Sequence, residues 1–594
     1  MVRKISRAQL ACLALLLLIA STPAVAQTKP FRIDYTVAVE RPDSGLFHVT
    51  ADLKNINQPT VDLSLPAWTP GWYTIENYAK NILRFTVKDA KGTSLPQTMV
   101  RKQTWRVETA GRKEIWVEFD YRADILALNQ AKIANDFAFF TGTQLFLMAE
   151  GHRASPSSVR FVVPNGWKIA SALRETSDPS RFTAPDYDTL VDAPSEMGRF
   201  DVTRFEVEGK PHYLIATPAG AFSSEKSRQF TEMLAKVAVA QSAIFGGLPY
   251  EKYIYFYFFA PSESNASGAL EHQNSHVSFA PPGDVAEPEF MIGTASHEFF
   301  HTWNVKRIRP IEMWPYDYSR EDETPLLWVS EGFTNYYGIV GTYRAGLTTR
   351  EAFLDRAAGA MSDIENNPAR NFISPATSSV STWLGYDTPV AFNISYYTQG
   401  QNLGALLDLS IRHDSGGRAS LDDVMRALYR DYYQRGRGFS SADLLGIINR
   451  LSGRDYRDFF RRYVWGVEVP DYKTIYGYAG YLVDKKGSQA PVLGFDGRFR
   501  SGGFRVQGIH ANSTAADSGL EVGDVITLFN GTDPRRALLS DLAGKTIKVK
   551  VKRGEEEKEL TLKVAAREVV SYELSEIPRP TPDQLKVRTG WLKR

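Results

Sequence analysis

His297, Glu298 and His301 stand as H-E-F-F-H within an apolar run. On a helix, residues four apart lie on one face, one turn above each other. Both imidazoles can then reach a single metal ion, and the glutamate between them can handle a water at that ion. The third ligand is expected from Trp328-Val329-Ser330-Glu331-Gly332-Phe333-Thr334-Asn335-Tyr336-Tyr337, which reads as a second buried helix with one acid, Glu331. Two histidines and a glutamate leave the fourth tetrahedral position of zinc open, the arrangement of a catalytic rather than a structural site. The expected chemistry is amide hydrolysis at one Zn2+ per chain, with Glu298 accepting a proton from water and passing it to the leaving amine.

Several elements must position these residues, because 594 residues exceed a single core and suggest three or four domains. Residues 1–26 read as an export signal: Arg3, Lys4 and Arg7 precede the apolar run Leu10 to Ala20, and Ala24-Val25-Ala26 offers a cleavage site. The mature chain is expected to begin at Gln27 and to be exported, to the periplasm or beyond. The one cysteine, Cys12, falls in that segment, so no thiol remains as ligand, nucleophile or disulfide partner. Without Arg3, Lys4 and Arg7 the 70 basic residues become 67 against 68 acidic ones, a formal net charge of −1. Neither that balance nor any local run points to nucleic acid. No second apolar stretch approaches membrane-spanning length, so no transmembrane anchor is expected in the mature chain.

The fold expected is multidomain α+β. Residues 27–218 show short alternating β runs, such as Phe31 to Val37 and Glu114 to Tyr121, separated by turn residues, and read as an antiparallel sandwich-like domain. Residues 219–475 are mostly helical around the aromatic strand Tyr253 to Phe259 and carry the metal motif. From 476 to 570 strands and Gly-rich turns return, with Lys552 to Lys558 as a solvated hairpin turn, and 571–594 are left as a tail.

The run Asn512 to Ile526, with G-L-x-x-G-D-x-I, resembles a PDZ domain, which holds a peptide terminus at a sheet edge; Val492-Leu493-Gly494-Phe495 would be its loop. Ser296-His297-Glu298-Phe299-Phe300-His301-Thr302-Trp303-Asn304-Val305-Lys306-Arg307-Ile308-Arg309-Pro310, then Leu326 to Thr334, and Leu65-Pro66-Ala67-Trp68-Thr69-Pro70-Gly71-Trp72-Tyr73 resemble the exported glycyl aminopeptidase family. That resemblance implies a thermolysin-like gluzincin catalytic domain between a β domain and a PDZ domain. It implies roles for Gly268-Ala269-Leu270-Glu271-His272, similar to the G-x-M-E-N segment of zinc aminopeptidases: Gly268 and Ala269 flank the substrate backbone, and Glu271 binds the free α-ammonium. It also implies that Tyr397 donates to the tetrahedral oxyanion, although Gln399 replaces the usual lysine two residues on. Ala269 stands where glycine is frequent, in line with a narrow first pocket. Asn335 takes a position where such enzymes often place an acid behind a ligand histidine.

The reading is a zinc aminopeptidase acting on peptides with a free, small N-terminal residue, Gly or Ala, and with a further peptide ligand at the PDZ domain. Two alternatives stand beside it: a zinc endopeptidase, and a PDZ scaffold with a vestigial metal site. If the PDZ domain only recruits peptides, removing everything after Pro470 is expected to spare cleavage of small substrates.

Overall fold

The computed structural model describes residues 30–259, 268–385, 393–500, 502–537 and 539–593. The expected export signal lies outside them, and among the described residues no helix is long and apolar enough to cross a membrane. Alternation in the N-terminal third is that of half-buried strands: in Leu46–Lys54 every second residue, Phe47, Val49, Ala51 and Leu53, points into the core. These strands build a seven-stranded sheet and two four-stranded ones. One pair departs from the antiparallel expectation. Arg32–Ala38 runs parallel to Ser157–Val162, which a long connection between them permits.

The border with the next domain is drawn earlier than residue 218. Asp201–Val207 and Lys210–Thr217 pair with each other, and the second runs parallel to the fully buried strand Tyr253–Phe259. Alternation identifies strands but does not say which sheet they join. This five-stranded sheet ends on Ser275–Ala280 and the short edge strand Ala269–His272.

Helices cover the sheet and carry the metal motif. α1 (Ser224–Phe245) is capped by Ser223 and ended by Gly246 at φ 84°. α2 (Pro288–Phe300) holds the H-E-F-F-H run. The segment expected as one helix around Glu331 is two, α3 (Leu327–Ser330) and α4 (Gly332–Arg344), meeting at Glu331 itself. Then come α5 (Arg350–Asn366) and α6 (Tyr396–Asp414). Glycines set their approach: a Cβ on Gly332 would lie 2.3 Å from the Gly400 Cα, and one on Gly338 would lie 3.3 Å from the His297 backbone. α4 is thereby pressed between the helix of the histidines and the helix of Tyr397.

The C-terminal region is also rearranged relative to expectation. Residues 493–564 hold a five-stranded sheet with its own core, including Phe495, Val506, Ile526 and Val549. The expected hairpin turn is there, Arg553 pairing with Glu556. Tyr481–Val492 and Ala565–Glu576, however, form a twelve-residue antiparallel ribbon outside that sheet. The ribbon lies on α5, where the Asn366 amide bonds both to the Val570 carbonyl (2.7 Å) and from the Val570 N–H (2.8 Å). The segment 571–594, expected as a tail, continues this ribbon into α7 (Pro582–Trp591). Trp591 is buried among Phe353, Tyr476 and Tyr481, and its indole N–H donates to the Tyr336 hydroxyl at 2.9 Å. A single tryptophan near a chain end carries no periodicity by which a sequence could place it in a distant core.

Candidate active site

α2 ends at its own motif. Phe300 is the last helical residue, and His301 takes the C-cap position. The His301 Nδ1 faces the Asn304 carbonyl at 3.0 Å, which fixes the proton on that nitrogen and leaves Nε2 as a lone pair. That Nε2 lies 3.0 Å from the His297 Nε2 and 3.1 Å from the Glu331 Oε2, which itself is 3.6 Å from the His297 Nε2. Lone pairs of two rings and a carboxylate thus converge on one point, an arrangement that a cation reconciles and that the residues present fit well.

Outer contacts hold this set. Asn304 donates to the Val329 and Ser330 carbonyls at 2.8 and 2.9 Å, tying the turn after α2 to α3 just before Glu331. Tyr73, from the N-terminal domain, donates its hydroxyl to the Glu331 Oε1 at 3.1 Å. Burial, reinforced by the Glu331 and Glu271 charges, raises the Tyr73 phenol well above its ordinary range and keeps it a neutral donor. Asn335 lines a cleft together with His297, but the His297 Nδ1 meets no hydrogen-bond partner among the described residues, so the support expected behind a ligand is not made by this amide.

Glu298, Glu271 and Tyr397 lie beside this set. Glu298, Glu271 and His301 bring their side-chain polar atoms within 4.8 Å of one another. Burial raises the Glu298 carboxyl well above the usual range; the His301 ring opposes this, and the Glu271 and Glu331 charges add to it. Among the described residues the Glu298 Oε2 and the Glu271 Oε1 meet no hydrogen-bond donor. Ala269 shares a face of its strand with Glu271, two residues apart. Gly268, at φ 91°, accepts from the Phe279 N–H at 2.9 Å and immediately precedes that strand. Tyr397 stacks on His297 with ring centres 6.1 Å apart and lines a cleft of about 540 Å3 together with His297, Glu298 and Asn335. Tyr396, its neighbour, instead faces Thr382 at 3.1 Å. Glu271 is not among the residues lining that cleft and is only 3% exposed.

Sequence reasoning missed how the N-terminal domain enters the site. Gly71, at φ 101°, comes so close to Glu271 that a Cβ there would lie 2.5 Å from its Oε1. Tyr73 and Gly71 both belong to the Leu65–Tyr73 run, whose density of Pro, Trp and Gly was the one available signal.

Three family models match the chain. The M61 glycyl aminopeptidase domain matches residues 290–403, the Peptidase M61 N-terminal domain residues 34–199, and a PDZ domain residues 491–564. By these matches the chain carries an M61 N-terminal domain and an M61 glycyl aminopeptidase domain. It is accordingly a metallopeptidase, with a β-rich N-terminal domain, a helical catalytic domain and a C-terminal PDZ domain. The N-terminal match stops before Asp201, where the strands change sheet. No curated protein matches the chain by sequence. Among solved structures, an aminopeptidase N family protein from Idiomarina loihiensis shares the fold, with 24% identity, 95% of this chain and 100% of that one covered, and a TM-score of 0.80. An M1 zinc metallopeptidase from Deinococcus radiodurans, solved with a Tyr-Ser-Ala substrate, has 16% identity over 74% of this chain and 94% of its own, at a TM-score of 0.48. Yeast LTA4 hydrolase has 14% identity over 77% of this chain and 73% of its own, at a TM-score of 0.47.

Proposed function

We propose that this metallopeptidase is a zinc aminopeptidase that removes small N-terminal residues, Gly and Ala, from peptides. The observation that carries the reading is the buried Glu271 carboxylate beside the His297, His301 and Glu331 set, with one oxygen that meets no donor. A buried anion at that place demands a cation, and the free α-ammonium of a peptide supplies one through a charge-assisted hydrogen bond. His297, His301 and Glu331 are the residues that would hold Zn2+, whose chemistry when bound is to polarise a carbonyl and acidify water.

The chain's own residues do the rest. Glu271 sets the register by fixing the terminal amine, so that the first peptide bond is the one presented. Glu298, raised by burial and its neighbours, takes a proton from the attacking water and delivers it to the leaving nitrogen. Tyr397 donates its phenol to the oxygen that gains charge in the transition state, which removal of such a donor puts at about 3 kcal/mol. Ala269 on the Glu271 face, and the Gly71 backbone against that carboxylate, favour a narrow first pocket.

The test is the rate of chromogenic amine release from Gly, Ala, Leu and N-acetyl-Gly derivatives, with chelator and after added zinc. Chelator-sensitive, zinc-restored turnover of Gly and Ala substrates, with the blocked substrate inert, is expected. Equal cleavage of free and acetylated substrates would favour an endopeptidase. In Glu271→Ala the KM for Gly substrates should rise by tenfold or more, and an unchanged KM removes Glu271 as the anchor.

A further inference from the structure

Resting on Glu271 as the amine anchor, we propose that Asp192 is a specificity-determining positioning residue: it holds Lys306 away from Glu271 and so leaves that carboxylate for the substrate. Lys306 is only 1% exposed and follows Val305, whose φ of 74° is costly for a β-branched residue and turns the chain inward after α2. Its Nζ donates to the Asp192 Oδ1 at 3.0 Å and to the Pro70 carbonyl at 3.1 Å, and stops 3.9 Å short of the Glu271 Oε1. A lysine on a flexible four-carbon stem has the reach to close such a gap. What restrains it is Asp192, itself fixed at both oxygens: Oδ1 faces the His272 Nδ1 at 3.1 Å, and Oδ2 accepts from the Gln273 N–H at 2.8 Å.

The charges count the same way. Two buried carboxylates, Asp192 and Glu271, face one buried ammonium, Lys306; burial raises the Glu271 carboxyl and the Lys306 charge only partly opposes this, so the ionised form of Glu271 calls for a further cation. Burial would raise the Asp192 carboxyl, but the Lys306 charge and the His272 hydrogen bond bring it down to about 2. Burial works against the Lys306 charge, and Asp192 and then Glu271 more than restore it. The second cation is the terminal amine of the substrate, which an N-blocked peptide lacks. The same contacts join domains: Asp192 and Pro70 come from the N-terminal region, Lys306 and His272 from the catalytic one.

The experiment is steady-state kinetics of the metal-loaded full chain on a Gly chromogenic amide, with metal content and melting temperature measured for every variant. Asp192→Asn places an amide N–H2 against Lys306 and releases it towards Glu271; KM should rise at least tenfold with kcat within about threefold. Adding Lys306→Met removes the competitor and should return KM to within about threefold of the original. Because Lys306→Met also removes a buried charge left without its partner, the melting temperatures carry the distinction: the proposal requires KM to rise in Asp192→Asn without a matching fall in melting temperature. An unchanged KM in Asp192→Asn, or a raised KM that Lys306→Met fails to reverse, overturns the proposal. Where Asp192→Asn does not melt cooperatively, Lys306→Met alone decides: KM within about threefold supports the role, and a tenfold rise refutes it. Glu271→Gln separates the two layers. If it leaves KM unchanged, the anchor reading fails; if it raises KM while Asp192→Asn does not, only the role of Asp192 falls.

Discussion

Glu298→Gln should keep its metal and lose turnover, kcat falling by about a hundred- to ten-thousand-fold, the range of a positioned general base. Glutamine matches the buried side chain in size, and His297, His301 and Glu331 are untouched, so the packing and the ligand set remain. What disappears is an oxygen able to take a proton. The Glu298 Oε2 has no protein donor among the described residues, so it is available to a water at the site rather than committed to structure. Metal content by elemental analysis and kcat on a Gly amide decide the matter. A metal-loaded variant within tenfold of the original rate would take Glu298 out of the mechanism.

Cutting the chain after Pro470 should abolish the folded enzyme, the opposite of the sequence-based expectation. The cut removes the ribbon from α5 and withdraws Trp591 from the core. Losing a buried tryptophan costs about 3–5 kcal/mol, against a total stability of about 5–15 kcal/mol for a typical domain. The loss also falls near the site. Trp591 donates to the Tyr336 hydroxyl, which donates to the Asp408 Oδ2 at 2.8 Å, and Tyr336 is on α4, five residues after Glu331. Excising 493–564 instead, with a short turn joining Val492 to Ala565, leaves the ribbon paired, since these two residues are already partners. That variant should melt cooperatively and cleave Gly amides within about threefold of the full chain. Cooperative melting and full activity of the Pro470 truncation would show α7 to be dispensable.

These two outcomes mark where the sequence was readable. The H-E-F-F-H spacing, Glu331 in an apolar segment, and the strand-like alternation up to Thr217 each express a local period, and the structure carries all of them. Tyr397 and Glu271 came from resemblance; Tyr397 stacks on His297, and Glu271 lies beside Glu298 and His301. Leu421–Asp431 and Ser441–Ser452 are helices in the region read as mostly helical. Borders fared less well at 218 and 571, because a strand's alternation is the same whichever sheet it joins.

The sequence by itself determined the three candidate metal ligands, the acid beside them and the order of domains, because each is written in neighbouring residues at helical or strand spacing. Only the tertiary structure decided that Tyr73 reaches Glu331, that Gly71 abuts Glu271, that Asp192 restrains Lys306 and that Trp591 closes the catalytic core. These contacts join residues from 114 to 258 positions apart. No local pattern encodes such pairs, and each forms because a buried polar or bulky group must find its partner in the packed interior.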